Sequence, residues 1–196
     1  MCFYCSQLLL EEKDLEDIKK RCKSSTNRLN RVLKMSDTIK ECNIEKDKGG
    51  CGHKQPKFTK SGLRIQIEYM DENNLDTGRD RKQFLQPDEA LKVLERIKDE
   101  DCEYLGFNAK VSRPEYMIIK NLAVAPPPVR PSVAMTNTMR SEDDLTYAYQ
   151  KIIQTNNALQ TQISKGANQT TINELRANLQ YYVATLMDNE IQGQPT

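Results

Sequence analysis

The run Pro126-Pro127-Pro128-Val129-Arg130-Pro131 constrains this chain more than any other feature. Each proline fixes its own φ at about −65° and removes a backbone donor, so the run is neither helix interior nor central strand. It predicts an extended polyproline II crossing. Before it, Ser112-Arg113-Pro114-Glu115-Tyr116-Met117-Ile118-Ile119 reads as a short apolar strand running on through Leu122 to Ala125. A helix start follows closely, so the stretch reads as a rigid crossing between two folded parts. Pro128-Val129-Arg130-Pro131 also fits a minimal PxxP ligand for an SH3-like groove. The strand before it and the helix after it favour a packed crossing.

Beyond the polar loop Thr136 to Arg140, Ser141-Glu142-Asp143-Asp144 predicts a capping-box-like start. Leu145, Tyr149, Ile152, Asn156, Leu159 and Ile163 then recur at spacings of 4, 3, 4, 3 and 4, a heptad seam whose single polar member is Asn156. Lys165-Gly166 predicts a helix stop, and Thr171 with Glu174 a second capping box. Ile172, Leu175, Leu179, Tyr182 and Leu186 continue the seam at 3, 4, 3 and 4. Two such helices joined by so short a turn run antiparallel. At 1.5 Å per residue each arm reaches about 30 Å, so the polar tip (Gln160, Ser164, Lys165, Asn168 and Gln169) stands where another protein can grip it. The plainer reading of such a seam is packing alone.

The N-terminal part is read from its cysteines. Cys2 and Cys5 form a CxxC at the very start, and their partners lie downstream in Cys42 and Cys51, the latter inside Gly49-Gly50-Cys51-Gly52. Glycines there allow positive-φ turns that bring amides toward a thiolate. Two ligands from one tight turn and two from a second loop suit the tetrahedral preference of a structural zinc ion. His53, two residues after Cys51, is an alternative to one thiolate. Cys22 and Cys102 are left over and read as inert thiols. Structural zinc contributes about 10–16 kcal/mol of apparent binding energy, against about 5–15 kcal/mol for a whole domain, so this part is expected to fold only with metal. A catalytic zinc needs an open position and a base, and no base and nucleophile pair is recognisable.

Leu8 to Arg21 and Asn27 to Met35 read as short helices that return the chain to the cysteines. Leu63 to Tyr69 alternates apolar and polar as a half-buried strand does, and Gln83-Phe84-Leu85 as another, with a loop from Asp71 to Lys82 between them. Lys54, Lys57, Lys60 and Arg64 make a basic edge that is either a phosphate-backbone contact or a solvated strand face. Pro87-Asp88-Glu89 opens a helix with Ala90, Leu91, Leu94 and Ile97 on one face. It ends before Asp99-Glu100-Asp101, an acidic run read as solvent-facing rather than as a magnesium site.

Charge narrows the function classes. With 29 Lys and Arg against 28 Asp and Glu, a net charge of +1 gives no global steering toward nucleic acid or a membrane. Hydrophobic content of 37% without tryptophan is lean, and predicts that metal or partner subunits supply part of the stability. No membrane span or signal segment is legible, so the chain reads as soluble and intracellular, where cysteines serve as ligands or free thiols.

In order and spacing, the cysteine pairs, Leu105-Gly106-Phe107, Arg113-Pro114-Glu115, Pro126 to Ser132, Glu142-Asp143-Asp144-Leu145-Thr146 and Val183 to Pro195 together resemble the clamp region of the largest subunit of multisubunit DNA-directed RNA polymerases, of the RNA polymerase II type. The chain departs from that pattern at Tyr116, where the family has Trp, and at Ala123 and Ala125, where it has Pro. The resemblance implies an α+β fold: a zinc-stapled N-terminal region (1–56), a small antiparallel sheet with helices and the proline crossing (57–135), then a long antiparallel coiled-coil hairpin (136–196). It implies structural Zn2+ on Cys2, Cys5, Cys42 and Cys51. It also implies a clamp that closes over DNA and the RNA:DNA hybrid, with the hairpin docking initiation and elongation factors. The implied partners are the other polymerase subunits, including the second-largest, and no membrane. The implied setting is the nucleus, or host cytoplasm or a virion for a large DNA virus. The family's catalytic aspartates and their Mg2+ fall outside this chain, which alone is expected to be inactive. Ending in Gln194-Pro195-Thr196, the sequence reads as part of a longer polypeptide. The alternative is a free-standing zinc-containing adaptor using its PxxP and hairpin; a zinc hydrolase is the remotest reading.

Overall fold

The computed structural model describes residues 1–42, 49–70, 80–136 and 138–191. By packing the chain forms two units, Met1–Lys120 and Asn121–Thr196.

In the first unit, helix α1 (Glu12–Arg21) opens on Glu12 and Asp14 and closes on Lys19, Lys20 and Arg21, the charge order its dipole favours. It buries Leu15 and Ile18, and α2 (Ser25–Ser36) buries Val32. The first helix starts later than the sequence reading placed it. Leu8, Leu9 and Leu10 precede it and are all buried, Leu8 and Leu10 in the main core and Leu9 against the cysteines. Three consecutive leucines cannot share one stripe of a helix, whereas an irregular segment divides them between two cores.

Strands β1 (Lys57–Ser61), β2 (Arg64–Glu68) and β3 (Lys82–Phe84) form an antiparallel sheet in that order. The expected alternation holds over the second half of the strand, where Ile67 and Tyr69 are buried; Ile65, on the same face, stays exposed near the hairpin end. Residues 71–79 of the expected loop lie outside the described residues. Helix α3 (Pro87–Glu95) begins at the proline, and α4 (Asp99–Tyr104) follows it. Here the acidic run is not solvated as a whole: it forms the first turn of α4, with Asp101 buried, because three carboxylates complement a helix N-terminus. The core joins Leu8, Leu10, Leu15, Ile18 and Val32 to Ile97, Cys102 and Leu105. Gly106, at φ +85°, passes so close to α2 that a Cβ there would lie 2.5 Å from the Ser25 carbonyl oxygen.

The expected strand at Ser112–Ile119 is instead a single 3₁₀ turn, Pro114–Met117. Pro114 opens it, where its missing N–H costs nothing. Arg113 fixes it by donating to Glu115 and Asp99 and, at 2.9 Å, to the Ile97 carbonyl. Tyr116, Met117 and Ile119 stay exposed.

In the second unit Pro126 is extended, at φ −66° and ψ 157°, but Pro127–Val129 tightens into a 3₁₀ turn rather than continuing as polyproline II. Both conformations accept proline's φ. The two turn bonds, from Val129 N to Pro126 O and from Arg130 N to Pro127 O, take only carbonyls from the prolines. Arg130 then ties the segment down, donating to the Ala125 carbonyl at 2.8 Å and the Thr146 hydroxyl at 3.0 Å, while Ala125 N donates to the Tyr149 hydroxyl. A two-residue ribbon, β4 (Val133–Ala134) with β5 (Arg140–Ser141), leads to α5 (Asp144–Ser164) and α6 (Gln169–Met187). These two helices pack on each other, and the short turn between them makes them antiparallel. Gly166, at φ +66°, supplies the stop.

Both helix caps differ from expectation. Asp143, not Ser141, caps α5 by accepting from Leu145 N, and Asn168, not Thr171, caps α6 by accepting from Thr170 N. Ser141 is held in the ribbon, and Thr171 already lies inside the first turn. Asn156 is exposed rather than part of the buried seam, whose buried members are Tyr149, Ile152 and Ile172. With a single helix as neighbour the seam is narrow, so the amide keeps its water and avoids a desolvation cost. Among the described residues, no helix is long and apolar enough to cross a membrane.

Candidate metal centre

The N-terminal turn is built by Cys2 N donating to Gln7 O at 2.7 Å and Ser6 N to Cys2 O at 3.0 Å. It requires a positive φ of 63° at Ser6, unusual for a residue with a side chain. The Ser6 hydroxyl holds that conformation by donating to the Val93 carbonyl at 2.8 Å, inside the protein. The second loop closes through Cys42 N to His53 O, Gly52 N to Cys42 O and Gln55 N to Lys40 O. Gln55 joins the two loops: its Oε1 accepts from Phe3 N at 2.9 Å, and its Nε2 donates to Cys2 Sγ at 3.2 Å and His53 O at 3.0 Å.

Together these place the sulfurs of Cys2, Cys5, Cys42 and Cys51 all within 4.8 Å of one another. Cys2 Sγ lies 3.5 Å from Cys51 Sγ, and Cys5 Sγ 3.8 Å from Cys42 Sγ. A tetrahedral ion with metal–sulfur bonds of about 2.3 Å needs sulfurs about 3.8 Å apart, so the four thiols fit such an ion with little movement. Cys2 and Cys42 are buried and Cys5 and Cys51 partly exposed. Burial pushes the Cys2 thiol up, but hydrogen bonds from the Cys5 and Tyr4 backbones and the Gln55 amide outweigh it and bring it down to about 7. Burial takes Cys51 up to about 12, with only partial relief from the His53 backbone, and raises Cys42 as well.

His53 stands outside the cluster. Its ring stacks on Tyr4, with centroids 4.5 Å apart, and its Nδ1 is 3.0 Å from the Cys51 carbonyl oxygen. Cys102 is fully buried in the main core, where burial raises its thiol, and Cys22 packs against the same core.

The basic residues do not form one patch. Lys54, Lys57, Lys60 and Arg64 are all exposed, but the register puts Lys57 and Arg64 on one face of the sheet and Lys60 with Phe58 and Ile65 on the other. Arg64 also stacks on Phe84, its Cζ 3.9 Å from the ring centroid. At the hairpin turn Gln160, Ser164, Lys165, Asn168 and Gln169 are exposed. Ser164 donates to Thr161 O, Asn168 is the α6 cap and Gln169 donates to Asn173. Sequence reasoning missed Ser6 and Gln55, the two polar residues that shape the sulfur site, because neither belongs to a spacing pattern.

A family model described as RNA polymerase Rpb1, domain 1, matches residues 1–196. The "DNA-directed RNA polymerase II subunit RPB1" of Euplotoides octocarinatus is 45% identical over 201 residues, covering 99% of this chain and 41% of that relative. The four-sulfur cluster, the Arg-Pro-Glu turn and the helical hairpin thus sit in a chain that belongs, over its whole length, to the RNA polymerase largest-subunit family, as the N-terminal region of that subunit.

Proposed function

We propose that the chain is the clamp portion of a nuclear DNA-directed RNA polymerase, and that it closes over DNA and the RNA:DNA hybrid during transcription. The match over 1–196 to the largest-subunit family carries this reading. In it, Cys2, Cys5, Cys42 and Cys51 hold one structural Zn2+. The ion supplies cross-linking of two loops and no open coordination position, since four thiolates complete a tetrahedron. Gln55 and the turn at Ser6 position two of the ligands. Lys54, Lys57, Lys60 and Arg64 contribute phosphate contacts from two faces rather than as one groove. Helices α5 and α6 form a coiled-coil hairpin whose exposed turn docks initiation and elongation factors. Nucleotidyl transfer, with its Mg2+, belongs to the assembled enzyme with its second-largest subunit, and this chain alone is inactive.

The test is capture of the native polypeptide with an antibody raised against the turn around Lys165. Co-capture of a second large subunit with DNA-templated RNA synthesis is expected, and recovery of a lone chain without that activity would overturn the reading. Elemental analysis of the chain should give one zinc, lost in Cys42→Ser. Lys165→Glu should weaken factor capture, and unchanged capture removes the turn as the contact.

A further inference from the structure

The four sulfurs are not equivalent. Two sulfur pairs in hydrogen-bond contact, Cys2 with Cys51 at 3.5 Å and Cys5 with Cys42 at 3.8 Å, span the two loops, and each joins one buried sulfur to one partly exposed sulfur. Neither close pair is the one a CxxC motif suggests. The other two cysteines lie apart, Cys102 buried in the main core and Cys22 packed against it.

We propose that this cluster is an oxidation-sensitive staple, in which a hydroperoxide converts the four thiols into two cross-loop disulfides, Cys2–Cys51 and Cys5–Cys42. In each pair the more exposed sulfur, Cys51 or Cys5, gives up its thiol proton to solvent as it attacks the outer peroxide oxygen. The O–O bond breaks, an alcohol or water leaves, and a sulfenic acid remains. The buried partner, Cys2 or Cys42, then attacks that sulfur as a thiolate and expels hydroxide, which takes up the thiol proton. Per pair, two thiols and one hydroperoxide give one disulfide, one water and one alcohol or second water. The peroxide is reduced by two electrons and the sulfurs are oxidised by two. Any metal held by the thiolates leaves, but the two loops stay joined, because each new bond replaces a link between the same two segments. The oxidised unit therefore keeps its fold without metal, which pairing within Cys2/Cys5 and Cys42/Cys51 would not allow.

The proposal deepens the metal-centre reading, and one experiment separates them. The full chain is loaded with zinc and treated with hydrogen peroxide. Released zinc is measured with a metallochromic dye, disulfides are mapped by non-reducing peptide mass spectrometry, and far-UV circular dichroism is followed. One zinc released per chain, peptides joined as 2–51 and 5–42, and a retained helical signal are the expected results. Pairs joined as 2–5 and 42–51, or cysteines carried to sulfinic acid, overturn the staple and leave the metal centre standing. A chain that never binds zinc yet forms both cross-loop pairs overturns the metal centre and supports the staple. Cys5→Ser should leave the 2–51 link alone, and its absence in that variant, with the fold intact, also overturns the proposal.

Discussion

Three single residues set the local shape of the first unit. Gly106 is the sharpest case, since any side chain there meets the Ser25 backbone and also needs φ +85°. Gly106→Ala should lose about 1–2 kcal/mol in chemical denaturation from left-handed strain alone, and more once the clash is counted. A loss below about 0.5 kcal/mol, the range of a neutral surface change, would show that α2 yields freely. Ser6 combines a positive φ with a buried hydroxyl bond to Val93. Ser6→Ala should cost about 1–2 kcal/mol by deleting that bond, and Ser6→Gly less, because glycine regains at φ what it loses in the bond. Equal losses in the two variants would mean the backbone there is unstrained. Arg113 explains the Arg-Pro-Glu motif structurally: it links the α3–α4 corner to the turn that follows.

At the level of elements, type was more legible than boundary. The amphipathic periods located α1, α2, α3, α5 and α6, but the start of α1 and both caps of the hairpin were misplaced, and the strand expected before the prolines is a 3₁₀ turn. A cap is one side-chain bond, and Ser141, Asp143, Asn168 and Thr171 all belong to residue types that make it; only the ribbon and turn decide which does. Asn168→Ala should therefore cost the second unit about 1 kcal/mol, while Thr171→Ala should be close to neutral. Thermal melts of the two variants check this, and a larger loss in Thr171→Ala would return the cap to the sequence-based position. Ile172, buried where α6 begins to meet α5, should cost about 2–5 kcal/mol on change to Ala. A loss under 1 kcal/mol would show that the two helices do not depend on that contact.

For the molecule as a whole, a metal ion held as proposed competes with protons for the same sulfurs. Burial keeps Cys42 and Cys51 protonated near neutral pH in the metal-free chain, with Cys51 raised to about 12. Metal uptake must expel those protons, so affinity rises with pH and falls in acid, by about tenfold per pH unit for each proton released. Competition titrations with a zinc chelator between pH 6 and 8 measure that slope, and a pH-independent affinity would exclude buried thiols as the ligands. Stripping the metal at neutral pH should loosen the first unit, whose lean core includes a cluster made of Cys2, Leu9 and Cys42, and leave the helical content of α5 and α6 in place.

The chemistry and the order of parts were legible before folding: which four cysteines compose the cluster, that an amphipathic hairpin follows a proline segment, and which family the chain resembles. These are properties of residue type and spacing, which a linear chain carries without folding. The tertiary structure decided what depends on neighbours far along the chain: the cross-loop sulfur pairs, the Gln55 bridge between loops, the Ser6 bond to α3 and the split of the basic residues over two sheet faces. Hydrogen bonds and packing contacts between residues up to 87 positions apart leave no periodic trace in sequence, because each is satisfied by one partner at one place.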